Sequence, residues 1–131
     1  MIVYTFRTFP EIEKLKKIFG EVFVFGKLKE DLEKFINIIE TKKPKYILGV
    51  AKGNNVSQLE KYAINKFGKT GIIDKNGSEL IELYVPKELK KDFKVSAKPT
   101  SSFCNWTMYK IGSYLLENKL KTKLMFVHKL I

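Results

Sequence analysis

Apolar residues recur along this chain with two spacings, and the spacing switches from segment to segment. Met1 to Thr5 is a short β-rich run, and Pro10 suits the first position of a helix in which Ile12, Leu15, Ile18 and Phe19 recur until Gly20. Glu21 to Phe25 alternates as a strand does. Leu28 to Lys43 predicts a longer helix with Leu32, Phe35, Ile36 and Ile39 on one face, ended by Pro44. Tyr46 to Ala51 is almost continuously apolar, the pattern of a buried parallel strand. Leu59 to Asn65 reads as one extended segment, followed by turn signals at Gly68, Gly71 and Asn76-Gly77. Leu80 to Val85 predicts a strand, Lys87 to Phe93 a short polar helix, and Val95 to Ala97 a brief strand. Ser101 or Ser102 is placed to cap a helix running to about Asn118, with Trp106, Tyr109, Leu115 and Leu116 at apolar positions. Lys123 to Leu130 is the last strand. Strands alternating with helices predict an α/β sandwich with a largely parallel sheet, and residues 1–131 form one domain without repeat or linker.

Composition narrows this picture only a little. The chain is 44% hydrophobic and 30% charged, as in ordinary globular domains. No apolar run approaches the roughly 18 residues of a membrane span, and the N-terminus lacks the pattern of a signal peptide. One cysteine leaves no internal disulfide and makes a reducing cytoplasm the simplest home. The net charge of +11 raises the question of nucleic acid, but Arg7 is the sole arginine and the lysines are spread through every segment. A solvated, thermophile-like surface accounts for the charge better than a nucleic-acid face.

Two residues stand out for their chemistry. Cys104 falls in the first turn of a helix, where free N–H groups favour a thiolate and predict a lowered pKa. His128 is the only histidine and closes the final strand, at the edge where open α/β sheets place their sites. Together they suggest a thiol nucleophile and its base. A zinc site is not supported, since no second Cys or His exists, and the glycines at 49 and 53 form neither a P-loop nor a dinucleotide fingerprint; no metal or cofactor is implied.

The segment Val95-Ser96-Ala97-Lys98-Pro99-Thr100-Ser101-Ser102-Phe103-Cys104-Asn105 resembles the stretch leading into the nucleophile of the pyroglutamyl peptidase I family, V-S-x-S-A-G-T-x-x-C-N. Phe126-Val127-His128 is similar to that family's F-I-H strand. Gly49 to Gly53 resembles its G-Q-A-G-G block, Leu59 to Asn65 its E-R-V-A-I-N block, and Phe6-Arg7-Thr8-Phe9 its F-x-x-F. The resemblance implies a three-layer α/β/α sandwich and a cysteine peptidase removing an N-terminal pyroglutamyl group from peptides. It implies Cys104 as nucleophile, His128 as base and acid, and Glu60 orienting the imidazole. Phe6 and Phe9 would sandwich the lactam, while Gly49 and Gly53, from the block that ends in the glycine loop, would contribute to substrate binding. The oxyanion donors would be the N–H of Cys104 and amides of that loop. Homo-oligomers are frequent among such relatives.

The pattern departs from the family at several points. Pro10-Glu11 stands where two glycines follow F-x-x-F, and Lys52-Gly53-Asn54 replaces G-G-R. The aspartate of the later turn is kept as Asp74 without its arginine, and the family's closing helix after the histidine has no counterpart. Two other classes therefore stand beside the hydrolase: a catalytically weak or inactive binding or interaction protein on the same scaffold and, behind it, a basic nucleic-acid-binding module.

Overall fold

The computed structural model describes residues 1–131. Eight strands and three helices follow in the order β1 Ile2–Phe6, α1 Ile12–Phe19, β2 Val22–Phe25, α2 Leu28–Lys42, β3 Tyr46–Lys52, β4 Gln58–Glu60, β5 Tyr62–Ile64, β6 Leu80–Glu82, β7 Lys94–Ser96, α3 Phe103–Glu117 and β8 Lys123–Lys129. A 3-10 turn at Lys87–Lys91 stands where the short polar helix was expected. The main sheet has six strands in the order β2-β1-β3-β8-β4-β7; all neighbours are parallel except β4 and β8. This is the α/β architecture with a mostly parallel central sheet that the alternation predicts.

Side-chain alternation divides the interior into two layers of core. On one face Tyr4, Phe6, Ile47, Ala51, Leu124 and Phe126 pack beneath α2 and α3, meeting Phe35, Ile39, Met108, Ile111 and Leu115. On the other, Val3, Val22, Val50, Leu59 and Val127 meet Leu15 of α1, with Leu89 and Phe93 of the 3-10 region alongside. Phe35 and Ile39 have no exposed surface, and each such burial contributes about 1.5–3 kcal/mol. The second helical layer is thin. Of the four apolar positions read in α1, only Leu15 is buried, while Ile18 remains 67% exposed. That helix also starts at Ile12 rather than Pro10, because a tight turn in which the Phe9 N–H donates to the Phe6 C=O precedes it.

The extended segment expected over Leu59 to Asn65 divides at Lys61. Its first half belongs to the main sheet, whereas its second half pairs antiparallel with β6 in a separate two-stranded ribbon. Lys61 serves both: its N–H donates to Ser96 and its C=O accepts from Leu83. Leu116, read as an apolar position of α3, lies on the outer face and is 65% exposed.

Gly49 is a packing glycine in the middle of β3, not part of a loop. It stands in register with Tyr4 on one side and Phe126 on the other. A Cβ there would come within 2.4 Å of the Phe126 ring and 2.6 Å of Tyr4, closer than real contacts allow. Two large rings share the space above one small residue, which explains the glycine without a ligand.

Candidate active site

The carboxyl ends of β3 and β8 meet the start of α3, and there a cleft of about 510 Å³ opens. Gly53, Asn54, Gln58, Ser102, Phe103, Cys104 and His128 are among the residues lining it. Sequence-distant positions converge because β8 lies beside β3 and β4 at once, with His128 in register with Ala51 and Gln58.

His128 follows the same face of β8 as Phe126, whose ring centroid lies 5.1 Å from the imidazole. Its Nδ1 lies 3.0 Å from Glu60 Oε2, and the Glu60 side chain is only 3% exposed. A carboxylate can only accept, so Nδ1 carries a proton, and in the neutral imidazole Nε2 holds the lone pair. Gln58 Nε2 donates to the same carboxylate oxygen at 2.9 Å.

Cys104 occupies the first turn of α3 and is 5% exposed. Burial pushes its thiol up to about 12; the neighbouring Ser102 hydroxyl pulls the other way, the Glu60 charge raises it further, and its own backbone N–H lowers it. The lowered pKa expected from the helix start is therefore corrected: desolvation outweighs the N-terminal N–H groups. No hydrogen bond joins the resting thiol to the imidazole; the two share the wall of one cleft. Ser102 is the residue before the helix, as read, but its hydroxyl pairs with Thr100 Oγ1 at 3.0 Å rather than capping a backbone N–H.

The remaining expected positions are distributed differently. Phe6 is buried under α3 and meets Phe103 edge-on at 4.8 Å, whereas Phe9 is buried on the opposite face of the sheet with Leu15 and Val22. The two phenylalanines cannot hold one ring between them. Phe103 instead joins Phe6 in lining a smaller cavity of about 200 Å³ and also lines the cleft of Cys104. Gly53 runs against the His128 backbone, where a Cβ would lie 3.2 Å from the His128 carbonyl oxygen. Its N–H already donates to the Lys129 C=O at 2.7 Å, so it is not an oxyanion donor. The N–H of Cys104 keeps that capacity, since the first-turn amides of a helix have no partner within it.

Sequence reading passed over three neighbours of this site. Phe103 and Gln58 gave no motif signal. Asn105, the residue after Cys104, gave no sign of its partners either: it is fully buried and its amide reaches 39 to 41 residues away. Its Oδ1 accepts from the Ile64 N–H at 2.8 Å, and its Nδ2 donates to the carbonyls of Ile64 and Lys66. Asn105 thus finishes the edge of β5 and anchors the turn of helix that carries Cys104. Asn105→Ala is expected to cost about 3 kcal/mol by stranding those backbone groups. Urea unfolding would measure it, and a loss below about 1 kcal/mol would refute the anchoring role. On the other side of Cys104, the Thr107 hydroxyl donates to the Cys104 C=O at 2.8 Å and pairs with Tyr4 Oη at 3.0 Å. With its own proton committed, Thr107 accepts from the tyrosine, and β1 is tied to the same turn.

No family model matches the chain, and no curated protein matches it. Among solved structures it is similar to a pyrrolidone carboxyl peptidase from Thermococcus litoralis, with a TM-score of 0.78 at 16% identity, covering 97% of this chain and 74% of that one. It is also similar to pyroglutamyl peptidase I from Bacillus amyloliquefaciens, with a TM-score of 0.77 at 17% identity over 99% of this chain and 79% of that one. A mutant pyrrolidone carboxyl peptidase from Pyrococcus furiosus gives 0.76 at 18% identity over 97% and 78%. At such identities the likeness establishes the fold. No helix of this chain is long and apolar enough to cross a membrane.

Proposed function

We propose that this protein is a relative of the pyroglutamyl peptidases and acts as a cysteine hydrolase, releasing an N-terminal pyroglutamyl group from peptides. The observation that carries the reading is that His128, paired with the buried Glu60 carboxylate, lines the same cleft as Cys104. The fold likeness and the resemblance around Cys104, His128 and Glu60 support it independently of one another's details.

In this mechanism the substrate displaces water from the cleft, and the thiol proton passes to His128 Nε2. Cys104 Sγ then forms a bond to the acyl carbonyl carbon, and the developing oxyanion takes the Cys104 N–H. The carbon–nitrogen bond breaks as the imidazolium returns its proton to the departing amine, leaving a thioester. Water attacks that thioester with His128 again as base, freeing the acid and restoring the thiol. Glu60 stabilises the imidazolium formed in each half-reaction. A thiol that is neutral at rest requires this coupled transfer, in place of a standing thiolate–imidazolium pair. The acyl group is assigned to the side of the cleft formed by Phe103, which adjoins the cavity shared with Phe6. An uncharged lactam suits aromatic surroundings, where a free N-terminal ammonium would lose its hydration without a carboxylate in return.

The neutral thiol and the missing Phe6–Phe9 clamp favour a second reading, a binding protein that keeps the scaffold without turnover. Hydrolysis of a fluorogenic pyroglutamyl amide, assayed beside alanyl and prolyl counterparts, separates the two. Release from the pyroglutamyl compound alone is expected, abolished in Cys104→Ala. Equal release from all three would discard the substrate and keep the chemistry. No release from any would select the binding protein.

A further inference from the structure

We propose that Gln58 is a positioning residue of this site, locking the Glu60 carboxylate onto His128 Nδ1 and so fixing the tautomer of the imidazole. The inference rests on the hydrolase reading for its consequence but on strand register for its geometry. Gln58 and His128 are direct partners across the antiparallel β4–β8 pair, and Glu60 lies two residues along β4. Residues two apart on a strand face the same way, and so does the cross-strand partner, so three polar side chains meet on one face. Gln58 Nε2 and His128 Nδ1 then reach the same oxygen, Glu60 Oε2, at 2.9 and 3.0 Å.

That convergence has a mechanical effect. The terminal torsion of a glutamate is soft and roughly two-fold, so one hydrogen bond alone leaves the carboxylate plane free to turn. Two donors on one oxygen hold it. The amide orientation of Gln58 is itself determined, because a carboxylate offers no proton and the NH2 must face it. His128 is thereby kept with Nδ1 protonated and Nε2 free to take the thiol proton. If Glu60 turned away, the proton could move to Nε2 and the ring would present a donor where a base is needed.

The test uses the full chain with 15N-labelled histidine, which yields a single imidazole signal set because His128 is the only histidine. At a pH where the ring is neutral, the unsubstituted protein is expected to show mainly the Nδ1–H tautomer. Gln58→Met keeps the side chain's length and bulk but removes the donor. It is expected to lower that tautomer's share and to reduce kcat on the pyroglutamyl amide about tenfold, the effect of one lost hydrogen bond to a charged group, with a much smaller change in KM. Gln58→Asn, which retains the amide one methylene short, is expected to behave like Gln58→Met; it gives a second folded variant should the first be unstable. A tautomer ratio unchanged in both variants would overturn the inference, whatever happens to turnover. If no pyroglutamyl amide is hydrolysed by any form, the hydrolase reading fails, and the nitrogen spectra still decide what Gln58 does.

Discussion

Glu60→Gln is expected to reduce Cys104-dependent turnover by about two orders of magnitude or more, within the range of a lost acid–base partner. The substitution is nearly isosteric, and both donors that meet Glu60 converge on one oxygen. An amide with its carbonyl oxygen in that place keeps both hydrogen bonds, so the fold and the imidazole's position are expected to survive. What disappears is the negative charge. The imidazolium formed when the thiol proton arrives would then stand beside a dipole instead of an anion, in a site whose 3% exposed carboxylate shows how little water reaches it. Steady-state kinetics on the pyroglutamyl amide would show the loss in kcat, with denaturation midpoints close to those of the parent. Turnover reduced less than about threefold would mean that Glu60 is a structural partner of His128 and not part of the chemistry.

A second large effect concerns stability at high pH. Burial holds the Cys104 thiol neutral in the folded protein up to about pH 12, while in the unfolded chain it ionises near pH 9. The raised value means that folding suppresses ionisation. Its contribution is whole below pH 9, where both states are protonated, and is lost as pH rises towards 12, because the unfolded state gains by releasing its proton first. The slope is ~1.4 kcal/mol per pH unit, so about 4 kcal/mol disappears across that window. Tyr4, also raised by burial, adds a loss of its own at the alkaline end. Comparing the parent with Cys104→Ala isolates the thiol, because Tyr4 is common to both. The gap between their unfolding free energies is expected to shift steadily in favour of Cys104→Ala above pH 9. Parallel curves from pH 8 to 11 would show that folding leaves the ionisation of the thiol unchanged and that burial does not hold it neutral.

The lowered thiol pKa expected from the helix start failed for a reason that recurs through the site. A residue's place in a helix is local and legible: the start of α3, Ser102 before it and Cys104 within its first turn follow from apolar spacing and punctuation. How much water reaches the thiol is not local. It depends on Phe103, on the packing under α3 and on strands drawn from both ends of the chain, and burial there exceeds what helix-end N–H groups can offset. Phe6 and Phe9 illustrate the same limit, since their spacing is visible but a turn between them sends one to each face of the sheet. Gly49 was readable as a glycine that matters, yet only the register Tyr4–Gly49–Phe126 shows that it matters for packing.

The sequence by itself determined the α/β alternation and most element boundaries to within a residue or two, because periodicity is a property of neighbouring positions; it singled out Cys104 and His128 as candidates, with Glu60 implied by the family resemblance. The resemblance implied that Glu60 orients His128, but tertiary structure decided how they meet, through β4 running antiparallel to β8, a reversal no local pattern announces. It alone brought Gln58 onto the same oxygen and gave Asn105 partners some 40 residues away. Side chains are chosen in the sequence one at a time, but hydrogen-bond partners, solvent exposure and charge environment arise only where distant segments are folded together.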